Sequence, residues 1–270
     1  MSFQLRREEQ LDGQQLTAML AENPARAAQA ILLAAKQGIL DGQALLGQIL
    51  LDGQGIACDP ALAKRWFQIA ANGGHLMARN MLGRCWEHGW GGPVDCAKAS
   101  HEYRLAAEAG LDWALYNFAN LLATGRGVAQ DVEGALKLYQ VAAEAGHAKS
   151  MNLVGRYLEE GVHCPMDRAA ACEWYKRSAY GGDFRGQFSY ASVLLENGQL
   201  ESALVWYRKA LDNGNLNFLR VAYPTLLTHR HAAIQTVCFF CLICWKSGLG
   251  AGAFLDACSP MLSPKSNIFE

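Results

Sequence analysis

The sequence predicts an all-α solenoid of paired helices, and three observations carry that prediction. The first is a period. Tyr103, Tyr139 and Tyr175 lie 36 residues apart, with Phe67 another 36 before them. The second is that four further classes of residue keep the same register: Ala63, Ala99, Ala135 and Ala171; Gly53, Gly89, Gly125 and Gly161; Asp59, Asp95, Asp131 and Asp167; Gly74, Gly110, Gly146 and Gly182. The third is the spacing inside each period. Leu45, Leu46, Ile49 and Leu50 form a helical stripe rather than the alternation of a strand. A fixed period of about 20–50 residues marks supersecondary units that bury their apolar faces only against neighbours.

Four ungapped units cover 39–74, 75–110, 111–146 and 147–182, and a fifth, 183–214, is four residues shorter. Half a unit, with Ala27, Ala34, Ala35 and Gly38 in register, precedes them, and another begins at Asn215. Each unit reads as two helices. In the first unit the leading helix runs from about Asp41 to Asp52, and Gly53 ends it, since glycine takes the left-handed cap conformation without penalty. A loop follows, and Asp59 stands where an N-cap acceptor is needed, with Pro60 just inside the start. The second helix carries Ala63, Phe67, Ala70 and Ala71, and Gly74 closes it. Small residues at Gly47, Gly83, Ala119, Gly155 and Ala191 let helices approach closely, and the aromatic at the Phe67 position fills the space beside them. The repeated aspartates are therefore caps rather than catalytic carboxylates. The expected organisation is an N-terminal capping helix over 1–24, repeats over 25–228 as one elongated body, and a C-terminal cap or tail over 229–270.

Composition narrows the function classes. Net charge is −1, from 24 Lys+Arg and 25 Asp+Glu, which gives no electrostatic reason to expect nucleic acid or a membrane surface as partner. The start, Met1 to Glu9, lacks the apolar stretch of a secretory signal, and the apolar run near Val237–Trp245 falls short of the roughly 20 residues that span a bilayer. A soluble, cytoplasmic protein is the expectation. Nine cysteines, an odd number, argue against a full disulfide framework.

These residues resemble the Sel-one-like repeat family, relatives of the tetratricopeptide repeat (TPR). The resemblance rests on Leu82-Gly83, Gly89, Gly91, Asp95, Lys98-Ala99, Tyr103, Ala106-Ala107 and Gly110 in the second unit. In the third it rests on Gly125, Gly127-Val128, Asp131, Ala135, Tyr139, Ala142-Ala143 and Gly146. It covers about residues 25–228. The fourth unit departs from it with His163 where the second loop glycine belongs, and the fifth lacks the long loop; both departures predict a local change of curvature. The resemblance implies a TPR-like α/α superhelix and a bacterial-type, non-catalytic scaffold or adaptor in regulation or complex assembly, without a cofactor.

The resemblance also implies a ligand face, because in the related superhelix the first helix of each pair lines the concave groove. Carried over by position, the groove takes Asn80, Arg84, Trp113, Tyr116, Asn120, Lys149, Asn152 and Arg156, flanked by Asp41, Ala44, Gln48, Met77, Arg185 and Phe188. Arg and Asn pair with a carboxylate or an extended backbone, and Trp and Tyr anchor interfaces. An acidic or C-terminal peptide segment is the expected occupant, although Glu87, Glu159 and Glu160 weaken the basic field. Cysteine-rich secreted relatives suggest an alternative: a small-ligand or cell-wall-fragment binder with weak β-lactamase-like hydrolase activity. In them a disulfide closes each repeat at the Cys164–Cys172 spacing, which no other unit of this chain repeats.

Other chemistry is sparse. Cys238, Cys241 and Cys244 have metal-like spacing, with Cys258 or His231 as a fourth ligand, yet they stand in an apolar segment without a glycine turn and read as packing residues. Gly89-Trp90-Gly91-Gly92 is a repeat loop rather than a phosphate cradle, and His75 and His147 read as surface or packing residues rather than a catalytic pair. Beyond Arg230 the register fades. The tail is either a helix on the last repeat or an apolar patch that drives homodimerisation, and the sequence leaves both open.

Overall fold

The computed structural model describes residues 21–236. Helices follow one another in pairs: α1 (Pro24–Lys36), α2 (Leu40–Asp52), α3 (Pro60–Asn72), α4 (Leu76–His88), α5 (Cys96–Glu108), α6 (Asp112–Thr124), α7 (Val132–Glu144), α8 (Ala148–Glu160), α9 (Arg168–Tyr180), α10 (Phe184–Glu196), α11 (Leu200–Asn213) and α12 (Leu216–Leu227). Among the described residues there is no strand. This is the α/α solenoid of helix-turn-helix repeats. It comprises two compact units that divide after Ser150, within α8. The expected capping helix falls mainly outside the described residues, as do Cys238, Cys241, Cys244 and most of the tail.

The aspartates set the helix starts. Oδ1 of Asp59, Asp95, Asp131 and Asp167 accepts from the backbone N–H of Leu62, Lys98, Gly134 and Ala170 at 2.8–3.0 Å. Each bond satisfies one of the N–H groups that a helix start leaves without a partner. At the other end of the first helices, Gly53, Gly89 and Gly125 take the left-handed conformation that terminates α2, α4 and α6.

The core of the first unit follows from the small-residue stripe. A Cβ on Gly47 would stand 2.7 Å from the Phe67 ring, and one on Gly83 would stand 2.6 Å from the Tyr103 ring. Phe67 and Tyr103 are consequently buried to within 1 %. The second unit repeats the arrangement at Gly155 and Tyr175, and its core extends over Ala191, Leu194, Tyr207, Leu219, Tyr223 and Leu226.

A buried tyrosine needs an acceptor for its hydroxyl. Tyr103 donates to Glu87 Oε2 at 2.8 Å, and Tyr175 donates to Glu159 Oε2 at 2.6 Å. Both glutamates stand 16 residues before their tyrosine. At the same offset before Phe67 the chain has Leu51, and Phe67 has no hydroxyl to satisfy. Burial, with the carboxylate beside each hydroxyl, pushes both phenols up, so they stay protonated and donating. Glu87 and Glu159 are therefore partners of the core.

The fourth unit keeps its loop turn despite its missing glycine. His163 stands at φ 63°, the left-handed region occupied by Gly127 in the third unit (φ 70°). A non-glycine residue there costs about 1–2 kcal/mol. Part of this is offset because glycine loses more chain entropy on folding. His163→Gly is expected to raise the stability of the second unit by roughly 0.5–1 kcal/mol, read as a higher urea midpoint at unchanged slope. In the fifth unit the long loop is absent, and a short turn with Gly198 at φ 74° joins α10 to α11.

Candidate functional site

The first helices carry the residues expected to meet a partner, and the structure sorts them into supports and contacts. Asn80, on α4, is 2 % exposed. Its Oδ1 accepts from Asn117 Nδ2 of α6 at 2.8 Å, a rung between successive first helices. The second unit repeats the rung, with Ser189 Oγ of α10 donating to Asn152 Oδ1 of α8 at 3.1 Å. Asn152 is also buried, at 3 % exposure. Asn120 accepts the hydroxyl of Tyr139 at 2.6 Å. These three asparagines hold helices in register.

A second set of rungs ties the first helices α2, α4 and α10 to the helix before each. Arg79 Nη2 donates to the Ala71 carbonyl at 2.7 Å, and Gln187 Nε2 makes the equivalent, longer bond to the Ala179 carbonyl at 3.5 Å. Arg79 also pairs with Glu102 at 3.0 Å, where both side chains are largely buried. The sequence hides these rungs because different residue types fill one repeat position.

The remaining candidates lie nearer the surface. Arg84 is half-buried, with its guanidinium 4.9 Å from the centroid of the Trp90 ring. Trp113, at the start of α6, is 39 % exposed, and Lys149 Nζ stands 4.8 Å from its ring centroid. Tyr116 lies one turn further along α6. In the second unit Arg156 is exposed and pairs with Glu160 at 3.3 Å across one helical turn. Exposed pairs of this kind are worth little and are easily exchanged for a partner's charge.

His147 was not among the expected contacts, yet it centres the cluster. The Trp113 ring stands edge-on to it, with centroids 4.7 Å apart, and the Tyr116 ring is tilted against it at 4.8 Å. The imidazole is 5 % exposed. Its Nδ1 accepts the backbone N–H of Ser150 at 3.3 Å and lies 2.9 Å from the Ser150 hydroxyl. A backbone N–H only donates, so Nδ1 is the bare nitrogen and Nε2 carries the hydrogen. That Nε2 is buried and has no hydrogen-bond partner. Burial is the main cause that pushes the His147 pKa down, to about 4; Asp112 opposes the shift and Lys149 adds to it. The sequence signal for this site is the shared register of His75 and His147.

Two other features carry no comparable chemistry. An open cleft lined by Gln68, Trp86, Asp95, Lys98, His101 and Glu102 has most of its groups engaged within the fold. Lys64 and Lys98 both sit over Trp86, Asp95 caps α5, and Glu102 holds Arg79. Cys164 and Cys172 are free thiols, so the disulfide behind the hydrolase alternative is not formed. Among the described residues no group of three metal-ligating side chains converges, and no helix is long and apolar enough to cross a membrane.

Repeated helix pairs, tied by side-chain rungs and carrying aromatic and cationic residues on the first helices, define a helical-repeat protein. The chain belongs to the Sel1 repeat family, whose model matches residues 40–75, 76–111, 114–147, 148–183 and 185–215. Repeats of this family generally mediate protein–protein interactions. No curated protein sequence matches the chain. Among solved structures it is similar to a Sel1 repeat protein from Oxalobacter formigenes, with a TM-score of 0.70 at 24 % identity over 87 % of this chain and 99 % of that one. It is also similar to c5321, a protective antigen of uropathogenic Escherichia coli with an SLR fold. There the TM-score is 0.62 at 24 % identity, over 91 % of this chain and 55 % of that one. The immunity protein Pa5087 from Pseudomonas aeruginosa gives a TM-score of 0.53 at 16 % identity, over 77 % and 81 %. At these identities the likeness is one of fold.

Proposed function

We propose that the chain is a non-catalytic scaffold that holds a protein or peptide partner on its first helices. Arg84, Trp113, Tyr116 and Lys149 make the main contacts in the first unit, and Arg156 adds one in the second. Asn80, Asn120 and Asn152 keep the helices beneath them in place. One observation carries this reading: a partly exposed tryptophan and a tyrosine, with a lysine over the tryptophan, stand on helices rather than loops. Trp, Tyr and Arg dominate binding energy at interfaces, and sites built on helices hold their geometry better than loops do. The same reading makes the protein an adaptor in bacterial regulation or complex assembly. It would work in the cytoplasm, where the free thiols of Cys58, Cys85, Cys96, Cys164 and Cys172 would stay reduced.

The test is capture from native lysate by wild type and by the Arg84→Ala/Trp113→Ala/Arg156→Ala variant, after circular dichroism shows both folded. The expected result is a partner held by wild type and lost by the variant. Equal retention by both would move the interface to another face and overturn this reading.

A further inference from the structure

His147 and His75 are the same residue of the repeat, 72 positions apart, and their surroundings differ at Nε2. Both begin a first helix, and Nδ1 of each accepts the backbone N–H three residues on, from Ala78 and from Ser150. Both therefore present Nε2–H on the opposite edge of the ring. For His75 that hydrogen meets Asp41 Oδ1 at 3.1 Å. The position equivalent to Asp41, again 72 residues on, is Trp113. For His147 the acceptor is missing, and Nε2 stays buried without a partner.

A buried donor without an acceptor costs about 1–3 kcal/mol. Asp112, the residue before Trp113, is turned to its own helix start, with Oδ1 2.7 Å from the Trp113 amide nitrogen. The seat that one repeat fills from within is therefore built and unfilled two repeats later. It lies beneath an exposed indole, beside an ammonium group. We propose that a carboxylate of the bound partner accepts the His147 Nε2–H between Trp113 and Tyr116, taking the place that Asp41 holds beside His75. Entry requires the Trp113 indole to turn aside, and the ring then closes over the ligand with Lys149 at its rim. This inference rests on the scaffold reading and names the chemistry of its anchor point.

The experiment follows the His147 imidazole by nuclear magnetic resonance in the full chain, since a carboxylate at Nε2 stabilises the imidazolium. One arm uses Trp113→Asp, which rebuilds the Asp41 arrangement from within. The His147 pKa is expected to climb from about 4 back towards its ordinary 6.5. The other arm adds probes to wild type: hexaglutamate amide, which offers side-chain carboxylates; acetyl-hexaglutamine acid, which offers a terminal one; and acetyl-hexaglutamine amide, which offers none. At least one of the acidic probes is expected to bind, to raise the His147 pKa and to bind about tenfold more weakly to His147→Asn. The asparagine still caps the helix but lacks the deep donor. The neutral amide is expected to leave His147 unchanged. Which acidic probe acts identifies a side-chain or a terminal carboxylate as the source.

The inference is overturned if Trp113→Asp leaves the imidazole pKa low. It is equally overturned if neither acidic probe shifts it, or if the neutral probe shifts it as far. A partner captured through Arg84 and Trp113 in the lysate experiment would leave the scaffold reading standing in each of those cases.

Discussion

Gly127→Ala is expected to destabilise the first unit by about 3 kcal/mol, lowering its thermal midpoint by roughly 6–12 °C. Two costs combine. Gly127 stands at φ 70°, where a side chain costs about 1–2 kcal/mol. Its missing Cβ is also where the backbone of Cys96, the first residue of α5, passes, and a new methyl would fall on that carbonyl. Backbone yields less readily than a flexible side chain, so overpacking adds about 1–3 kcal/mol. Gly110→Ala separates the two costs. Gly110 stands at φ 87° with nothing within 4 Å of its Cβ position, so only the conformational cost applies. Equal losses for the two variants would show that the loop does not press on α5. The contact is a repeated joint, because a Cβ on Gly91 would likewise strike the Pro60 carbonyl at the start of α3.

That joint shows what the sequence made legible and what it left dark. The caps at Asp59, Asp95, Asp131 and Asp167 and the terminators at Gly53, Gly89 and Gly125 were readable because each acts within its own turn of chain. Their chemistry is local, so their spacing from helix ends identifies them. The close approach at Gly47 and Gly83 was readable for a related reason: a small residue and an aromatic recur together in every unit. The second loop glycine also recurs, but what it touches lies one repeat back in the chain.

The rungs failed to show for a different reason. Asn80 to Asn117 and Asn152 to Ser189 join helices 37 residues apart and use different side chains for one task. Position marked Asn80 and Asn152 as groove residues, and burial made them supports. The aromatic cluster lies between these cases. Trp113, Tyr116 and Lys149 are legible by register through the family resemblance, whereas His147 at its centre reads from sequence as a surface or packing residue. It does pack, and its bare Nδ1 holds the start of α8. Its other nitrogen is left without an acceptor because the residue in the place of Asp41 is Trp113, a contact between separate repeats that local spacing does not reveal.

That burial has a consequence for stability against pH. His147 is held neutral in the folded state, with its pKa down to about 4, whereas the unfolded chain binds a proton near the ordinary 6.5. A group whose folded pKa lies below its unfolded value binds more protons when unfolded, so protonation pulls toward unfolding. Stability is fully present above pH 6.5, falls as the solution is acidified, and levels off below the folded value near 4. Between pH 7 and pH 5 the expected loss is about 2 kcal/mol from this residue alone. His147→Asn keeps an acceptor for the Ser150 N–H and removes the titrating ring. Urea denaturation of wild type and variant at both pH values isolates the effect, because the other groups that titrate in this range, the six remaining histidines chief among them, are common to both. Wild type is expected to lose about 2 kcal/mol more than the variant over that interval; matching losses would mean that the imidazole protonates freely in the folded chain. The same imbalance ties stability to binding. A carboxylate seated at Nε2 favours the proton that burial rejects, so an anionic ligand there would stabilise the first unit most below pH 6, where the empty site is weakest.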